Sequence, residues 1–329
     1  VRIAGLKSFK QVGRWLRSRF FGSALILGYH RVAAVDKDPY SMCVAPEHLA
    51  EHLDMICRLA HPLSLRELVN GLRKDNLRKR SVVLTFDDGY AETLYNVKPL
   101  LEQYQVPATV FVTTGYLGRE FWWNKLERII FSLAKLPEKL SLPIDGDIYE
   151  YDLGEEDRST AETSNRRLHL LQSLFNWLLP LSHSEREKTI EKIHVWSGSR
   201  LDSTDLGRCL TADELIELAT GGLVEIGAHT VTHPSLANLD LAEQQVEVEA
   251  SKASLETLLG LSVVSFSYPN GSSSEDTQRI VRDAGFLGAS ASHNDVVWRR
   301  SNPFQLPRFW IPNWEGELFK RWLNRWLPL

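Results

Sequence analysis

Short apolar runs recur along the chain, each followed by polar or turn residues and then by a segment with helical periodicity. That alternation is the pattern of parallel strands joined by crossover helices. The runs are "ALILGY" (24–29), "SVVLTF" (81–86), "ATVFVT" (108–113), "LVEIGA" (223–228), "VVSFSY" (263–268), "FLGASA" (286–291) and "FQLPRFWI" (304–311). Between them, "PEHLAEHLDMICRLA" opens with Pro46 in a first-turn position, and "LDLAEQQVEVEASKASLETLLG" begins beside an Asp cap and stops at Gly260. Seven such units predict an α/β barrel related to the (β/α)8 type, with its site at the C-terminal ends of the strands.

Residues from about 119 to 210 break this rhythm. "FWWNKLERIIFSLAKL" and "NRRLHLLQSLFNWLLPL" have helical patterns, and between them "DGDIYEYDLGEED" is acidic without a single base. The segment is expected to be a helical insertion, a lid or binding wall, and its acidic run a solvated surface or loop.

With 329 residues and 43% apolar composition the chain can bury a large core. Its net charge of -4 argues against a nucleic-acid binder, which needs a dominant basic surface. Basic residues gather at the two ends. Residues 1–22 have the pattern of a basic amphipathic helix, and 319–329 form a basic, Trp-rich segment with Trp322 and Trp326 four apart; the barrel is expected over 23–318. Such ends either pack an apolar face on the domain or make peripheral contact with a membrane. No apolar run of about 18 residues predicts a membrane span, and no secretory signal is visible, although a chain that starts at Val1 leaves a removed leader open. A cytoplasmic or peripheral-membrane location is the expectation. Cys43, Cys57 and Cys209 show neither disulfide nor metal spacing.

Two stretches carry the chemistry. "LTFDDGY" (84–90) ends the second strand candidate with adjacent carboxylates, each raising the cost of ionising the other. "GAHTVTHPSL" follows the fourth strand candidate and offers His229 and His233, whose spacing of four puts two imidazoles on one face of a helical turn. A divalent cation on Asp88, His229 and His233 would form a two-His, one-carboxylate site and stabilise both carboxylates. Asp87 is then left as the base, and Gly89 permits the tight turn. Spacing alone is a weak signal, since His48 and His52 share it within an ordinary amphipathic helix, where a solvated face is expected.

"TFDDG" (85–89) and "HTVTH" (229–233) resemble the first two motifs of the polysaccharide deacetylases, the NodB-homology carbohydrate esterases. The resemblance runs from about residue 24 to 312. It implies a distorted (β/α)7 barrel and metal-dependent removal of N-acetyl, occasionally O-acetyl, groups from sugars, with Asp87 as base and Asp88, His229 and His233 as ligands. Zn2+ is the first expectation for the metal, ahead of Co2+, Ni2+ and Fe2+. The family's third motif, Arg-x-Pro-Tyr, aligns with "SYPNG". Ser267 stands for the arginine that orients the base, so Asp87 is expected to need another partner or to work less well. Asn270 replaces the tyrosine and supplies a backbone oxyanion donor. Tyr268 and Pro269 come with the motif as substrate-binding candidates.

The fifth motif, Leu-x-His, finds only "LPRFWI" with Arg308. The subgroup that deacetylates poly-N-acetylglucosamine is similar in placing a "YH" after the first strand, so His30, in "ILGYHRV", is the candidate acid, with His293 a second choice. Trp122, Trp123 and Trp310 are candidates for stacking on sugar rings. The expected partner is an N-acetylated glycan or glycoconjugate. The alternatives are a hydrolase of another C–N amide bond on the same scaffold and a catalytically weak glycan-binding barrel, the latter raised by the missing arginine.

Overall fold

Seven strand segments deliver the chain to one rim. In the computed structural model, which describes residues 23–132, 138–144, 146–152, 160–198 and 207–327, the chain divides into two units, 1–118 with 209–329, and 119–208. The first unit is a curled parallel sheet flanked by helices. Its main strands are β1 (Ser23–Tyr29), β2 (Ser81–Phe86), β3 (Ala108–Val112), β4 (Val224–Ala228), β5 (Ser265–Ser267), β6 (Gly288–Ser290) and β7 (Phe309–Trp310), in the spatial order β6-β5-β4-β3-β2-β1, with two short additions, His61–Pro62 parallel on β2 and Val297–Trp298 antiparallel on β1. β7 pairs in parallel with β1 through Leu27↔Phe309 and Gly28↔Trp310, while a bridge from Ser290 to Leu306 ties the same segment to β6. The 306–310 segment therefore closes the sheet on itself as a distorted seven-stranded barrel.

Strand alternation sorts the side chains. On β1 and β2, Leu25, Leu27, Tyr29, Val82, Leu84 and Phe86 join one apolar cluster with the surrounding helices. Ala24, Ile26 and Val83 join another with Phe111, Leu306 and the Leu65, Leu68 and Val69 face of helix Leu65–Arg73. Continuing the second set along the period of two places Thr85, Asp87, Gly28 and His30 on the interior side. The helix Leu241–Leu259 is capped by Asp240, whose side chain accepts from the Glu243 N–H, and it stops at left-handed Gly260, as its sequence predicts.

Helix Pro46–Leu59 buries Leu49, His52, Leu53 and Ile56, so His52 does not belong to the solvated face expected for the His48/His52 pair. It is fully buried, stacked on Phe319 with ring centroids 4.1 Å apart, and its Nε2 faces the Trp314 carbonyl at 2.8 Å. Helix Gly316–Trp326 buries Phe319 and Leu323 and brings the Trp322 and Trp326 rings within 5.3 and 4.8 Å of Phe309, leaving Arg321 and Arg325 exposed. The C-terminal tryptophans thus pack on the barrel, one of the two readings given for the basic ends. The expected N-terminal helix lies outside the described residues. Among the described residues, no helix is long and apolar enough to cross a membrane.

The second unit holds helices Trp122–Ser132, Thr160–Leu178 and His183–Ser197 and an antiparallel hairpin of Lys139–Ile144 with Asp147–Asp152. Part of the acidic run is therefore a strand, its side chains half-buried or exposed. Trp122 and Trp123 are buried at 2% and 5% exposure. Trp122 stacks on Phe175 and lies under the Arg186 guanidinium, and Trp123 stacks on Phe121. Their expected role as sugar-stacking walls is corrected to one in the apolar packing of this unit.

Candidate active site

Asp87 and Asp88 follow directly on β2, and both are buried. Asp88 adopts a left-handed backbone (φ 74°), and so do Thr230 (φ 65°), His233 (φ 59°) and Asn270 (φ 56°). Such backbones cost of order 1–3 kcal/mol each for non-glycine residues and persist where the surroundings fix them. They aim the two motifs at each other. His229 Nε2 lies 3.6 Å and His233 Nε2 3.4 Å from Asp88 Oδ1, which is buried and accepts no hydrogen bond.

His229 Nδ1 is 2.8 Å from the Ser267 carbonyl, which fixes the tautomer with the proton on Nδ1 and leaves the Nε2 lone pair facing the carboxylate. Burial lowers the His229 pKa to about 4 and so favours this neutral, ligating form. Two imidazole nitrogens and a carboxylate oxygen within 4.8 Å of one another fit a divalent cation. The spacing of four in "HTVTH" is realised by a loop after β4, not by a helical turn.

Asp87 is held by the residue that sequence reasoning passed over. Arg308 is fully buried, and its Nη1 and Nη2 donate to Asp87 Oδ1 and Oδ2 at 2.6 and 2.8 Å. Nη1 also reaches Thr85 Oγ1 at 3.2 Å, Nη2 reaches Ser267 Oγ at 3.0 Å, and Nε reaches the Ala291 carbonyl at 3.1 Å. A guanidinium has five N–H groups, and these contacts give each an acceptor. Burial alone would raise the Asp87 carboxyl, but Arg308 outweighs it and holds the group well below the usual carboxylate range. Burial likewise opposes ionisation of Asp88, and His233 beside it brings its pKa below the ordinary value.

Arg308 is thus the other partner that Asp87 was expected to need. This arginine comes from the segment leading into β7 instead of from β5, and the small Ser267 leaves room for it while donating its own hydroxyl to Asp87 Oδ2 at 3.2 Å. A sequence signal did exist: an arginine inside the apolar run "LPRFWI" of a barrel has to be paired if the run is a strand.

His30, half-buried after β1, stacks on Trp310 with ring centroids 4.3 Å apart, and Arg308 sits 4.5 Å from the same indole. Gly28 makes this possible, since a Cβ there would come within 2.6 Å of the Trp310 ring. Burial lowers the His30 pKa, against the pull of Asp88 and Asp87. Asn270 sits in the turn after β5, exposed, with its Nδ2 donating to Ser235 Oγ at 3.2 Å. Tyr268 and Pro269 are buried, and the Tyr268 hydroxyl donates to the Phe304 carbonyl at 2.8 Å, so the substrate-binding role expected for them is corrected to core packing. His293 lies on an exposed loop.

A curled parallel barrel with an Asp–Asp pair and two histidines at the strand ends gathers at one rim the donor types that can hold a divalent cation. The sequence model of the family described as polysaccharide deacetylase matches residues 74–134 and 187–289, and the chain belongs to this family. It is 33% identical over 181 residues, 51% of this chain and 60% of the relative, to a poly-beta-1,6-N-acetyl-D-glucosamine N-deacetylase of Staphylococcus aureus (strain MRSA252). The corresponding Staphylococcus epidermidis protein is 32% identical over 116 residues, 31% of this chain and 40% of the relative. The chain thus matches less than two thirds of the length of these relatives. Among solved structures, IcaB from Ammonifex degensii superposes with a TM-score of 0.59 at 17% identity, covering 92% of this chain and 97% of that one. The Streptococcus pyogenes deacetylase PplD, solved in complex with acetate, gives 0.59 at 17% identity over 90% and 96%. At such identities these likenesses establish the fold.

Proposed function

We propose that the protein is a metal-dependent hydrolase that removes N-acetyl groups from amino sugars of a polysaccharide or glycoconjugate. One observation carries the reading: His229 and His233 present Nε2 at 3.6 and 3.4 Å to the unbonded Asp88 Oδ1, beside an Asp87 clamped by Arg308. Asp88, His229 and His233 would hold the cation, with zinc suited to this donor set and Co2+, Ni2+ or Fe2+ able to replace it. When bound, such an ion acidifies water and polarises the acetyl carbonyl.

Asp87 accepts the proton of the attacking water at its carboxylate. Arg308 orients that carboxylate, and because the same ion pair lowers its basicity, Asp87 contributes through placement more than through proton affinity. The Asn270 N–H is the oxyanion donor. His30 passes a proton to the departing amine, its charged form favoured by the two carboxylates and opposed by burial. The C–N bond breaks, and acetate and a free amino sugar leave.

The named relatives support the same substrate class, an N-acetylated glucosamine polymer. The alternative of a weakly catalytic binding barrel rested on a missing arginine, and Arg308 removes that ground. The test is acetate release from a panel of N-acetylated oligosaccharides by metal-loaded protein, beside Asp87→Asn and His30→Ala. Release by the wild type and its loss in Asp87→Asn is the expected result. A wild type that binds metal yet releases nothing from the panel sinks the reading; unchanged turnover in His30→Ala sinks only the acid assignment.

A further inference from the structure

The loop from His229 to His233 must hold two strained residues, Thr230 and His233, in place for its histidines to face Asp88. One side of the loop is tied to the neighbouring strand end. The His229 N–H donates to the Val112 carbonyl at 3.0 Å, and the His229 carbonyl accepts the Thr113 hydroxyl at 3.1 Å. The Thr230 and Val231 carbonyls accept the N–H groups of Thr114 and Gly115 at 3.1 and 2.9 Å. The His233 N–H turns back to Thr230 Oγ1 at 3.1 Å.

The N–H groups of Val231 and Thr232 are served from a different element. Glu247, on helix Leu241–Leu259, accepts both on Oε2, at 2.7 and 2.9 Å, and accepts the Thr232 hydroxyl on Oε1 at 2.6 Å. These are charge-assisted bonds, stronger than neutral ones. They grip the two residues lying between the strained pair.

We propose that Glu247 is a positioning residue for the metal-binding loop: it fixes the backbone between His229 and His233, so that both imidazoles are pre-set against Asp88 before any cation arrives. The inference rests on the reading of Asp88, His229 and His233 as a metal site. Without the carboxylate, three donors on the loop lose their partner and the strained conformations lose a main support, so the loop relaxes and cation binding has to restore it. Glutamine keeps one acceptor oxygen at the same reach, so it can still serve the paired N–H groups. Aspartate keeps the charge but is one methylene shorter.

The test is Co2+ binding, read by the visible absorption of the bound ion, for wild type, Glu247→Ala, Glu247→Gln, Glu247→Asp and Glu249→Ala, an exposed residue on the same helix. Outer partners of metal ligands typically govern affinity by 10–100-fold. Glu247→Ala and Glu247→Asp should weaken binding by at least about 10-fold and alter the absorption bands, while Glu247→Gln stays within about 3-fold and Glu249→Ala is unchanged. Should Glu247→Ala fail to fold, the contrast between Asp and Gln decides. Equal affinity and identical bands in wild type, Glu247→Asp and Glu247→Gln overturn the role of Glu247 alone. A wild type that binds no Co2+ overturns the metal site and this inference together.

Discussion

The chain carries two pairs of histidines with the same spacing. His229 and His233 stand on a loop after a strand, while His48 and His52 lie within a helix. In the first pair, left-handed residues and the Ser267 carbonyl turn both Nε2 atoms toward one carboxylate oxygen. In the second, the two rings take different partners and face no common acceptor. His52 goes into the core against Phe319, and His48 to the surface, where its Nδ1 meets Asn313 at 2.7 Å. Spacing therefore does not make a site; a buried acceptor lacking a donor, and backbone strain that aims at it, do.

The largest effect expected from separating the pairs is at His233. His233→Ala removes one of the three proposed ligands and should lower Co2+ binding and deacetylation by about 100-fold or more, whereas neither histidine of the helical pair should change Co2+ affinity when replaced. Next comes the group that steadies the neighbouring carboxylate. Arg308→Ala leaves Asp87 buried without its counter-charge and should cost about 3–5 kcal/mol in denaturant unfolding along with most of the turnover. Arg308→Lys should recover little, because one ammonium cannot reproduce a two-bond fork. Ser267→Arg, which restores the family's residue, should destabilise the protein, since the space is already filled by Arg308.

Acid should then expose the helical pair. Burial lowers the His52 pKa to about 4, below the roughly 6.5 of an unfolded chain. The stability tied to its neutral form is complete above about pH 6.5 and is lost as pH falls from there toward 4, of order 3 kcal/mol. In unfolding curves of metal-free protein, His52→Phe should flatten that part of the pH dependence; an unchanged slope would show that His52 is not its source. The smallest effect belongs to His48→Ala, expected within about 0.5 kcal/mol of wild type in stability.

The barrel strands were legible because buried parallel strands are continuous apolar runs, and each of the seven runs does contain a strand of the sheet. Only Phe309 and Trp310 of the last run pair as a strand, since the Pro307 ring removes a ladder donor just before them. The residues of the two motifs were legible because each motif is compact in the sequence, Asp87 beside Asp88 and His229 four positions from His233. Arg308 was not, because its partner Asp87 is 221 positions away and only closure of the sheet brings them together. His52 could have been read better: with Leu49, Leu53 and Ile56 it occupies the apolar stripe of its helix, where a histidine is expected to be neutral and packed.

The barrel chain leaves for the second unit after Gly118 and resumes at Cys209, and the Gly118 N–H donates to the Leu210 carbonyl at 2.8 Å. Departure and return are thus stitched together by the barrel itself. A segment spliced between two points already in contact adds a closure cost that grows only slowly with its length. The 119–208 stretch can therefore be shortened, traded or grafted at little closure cost while the ring of strands stays shut.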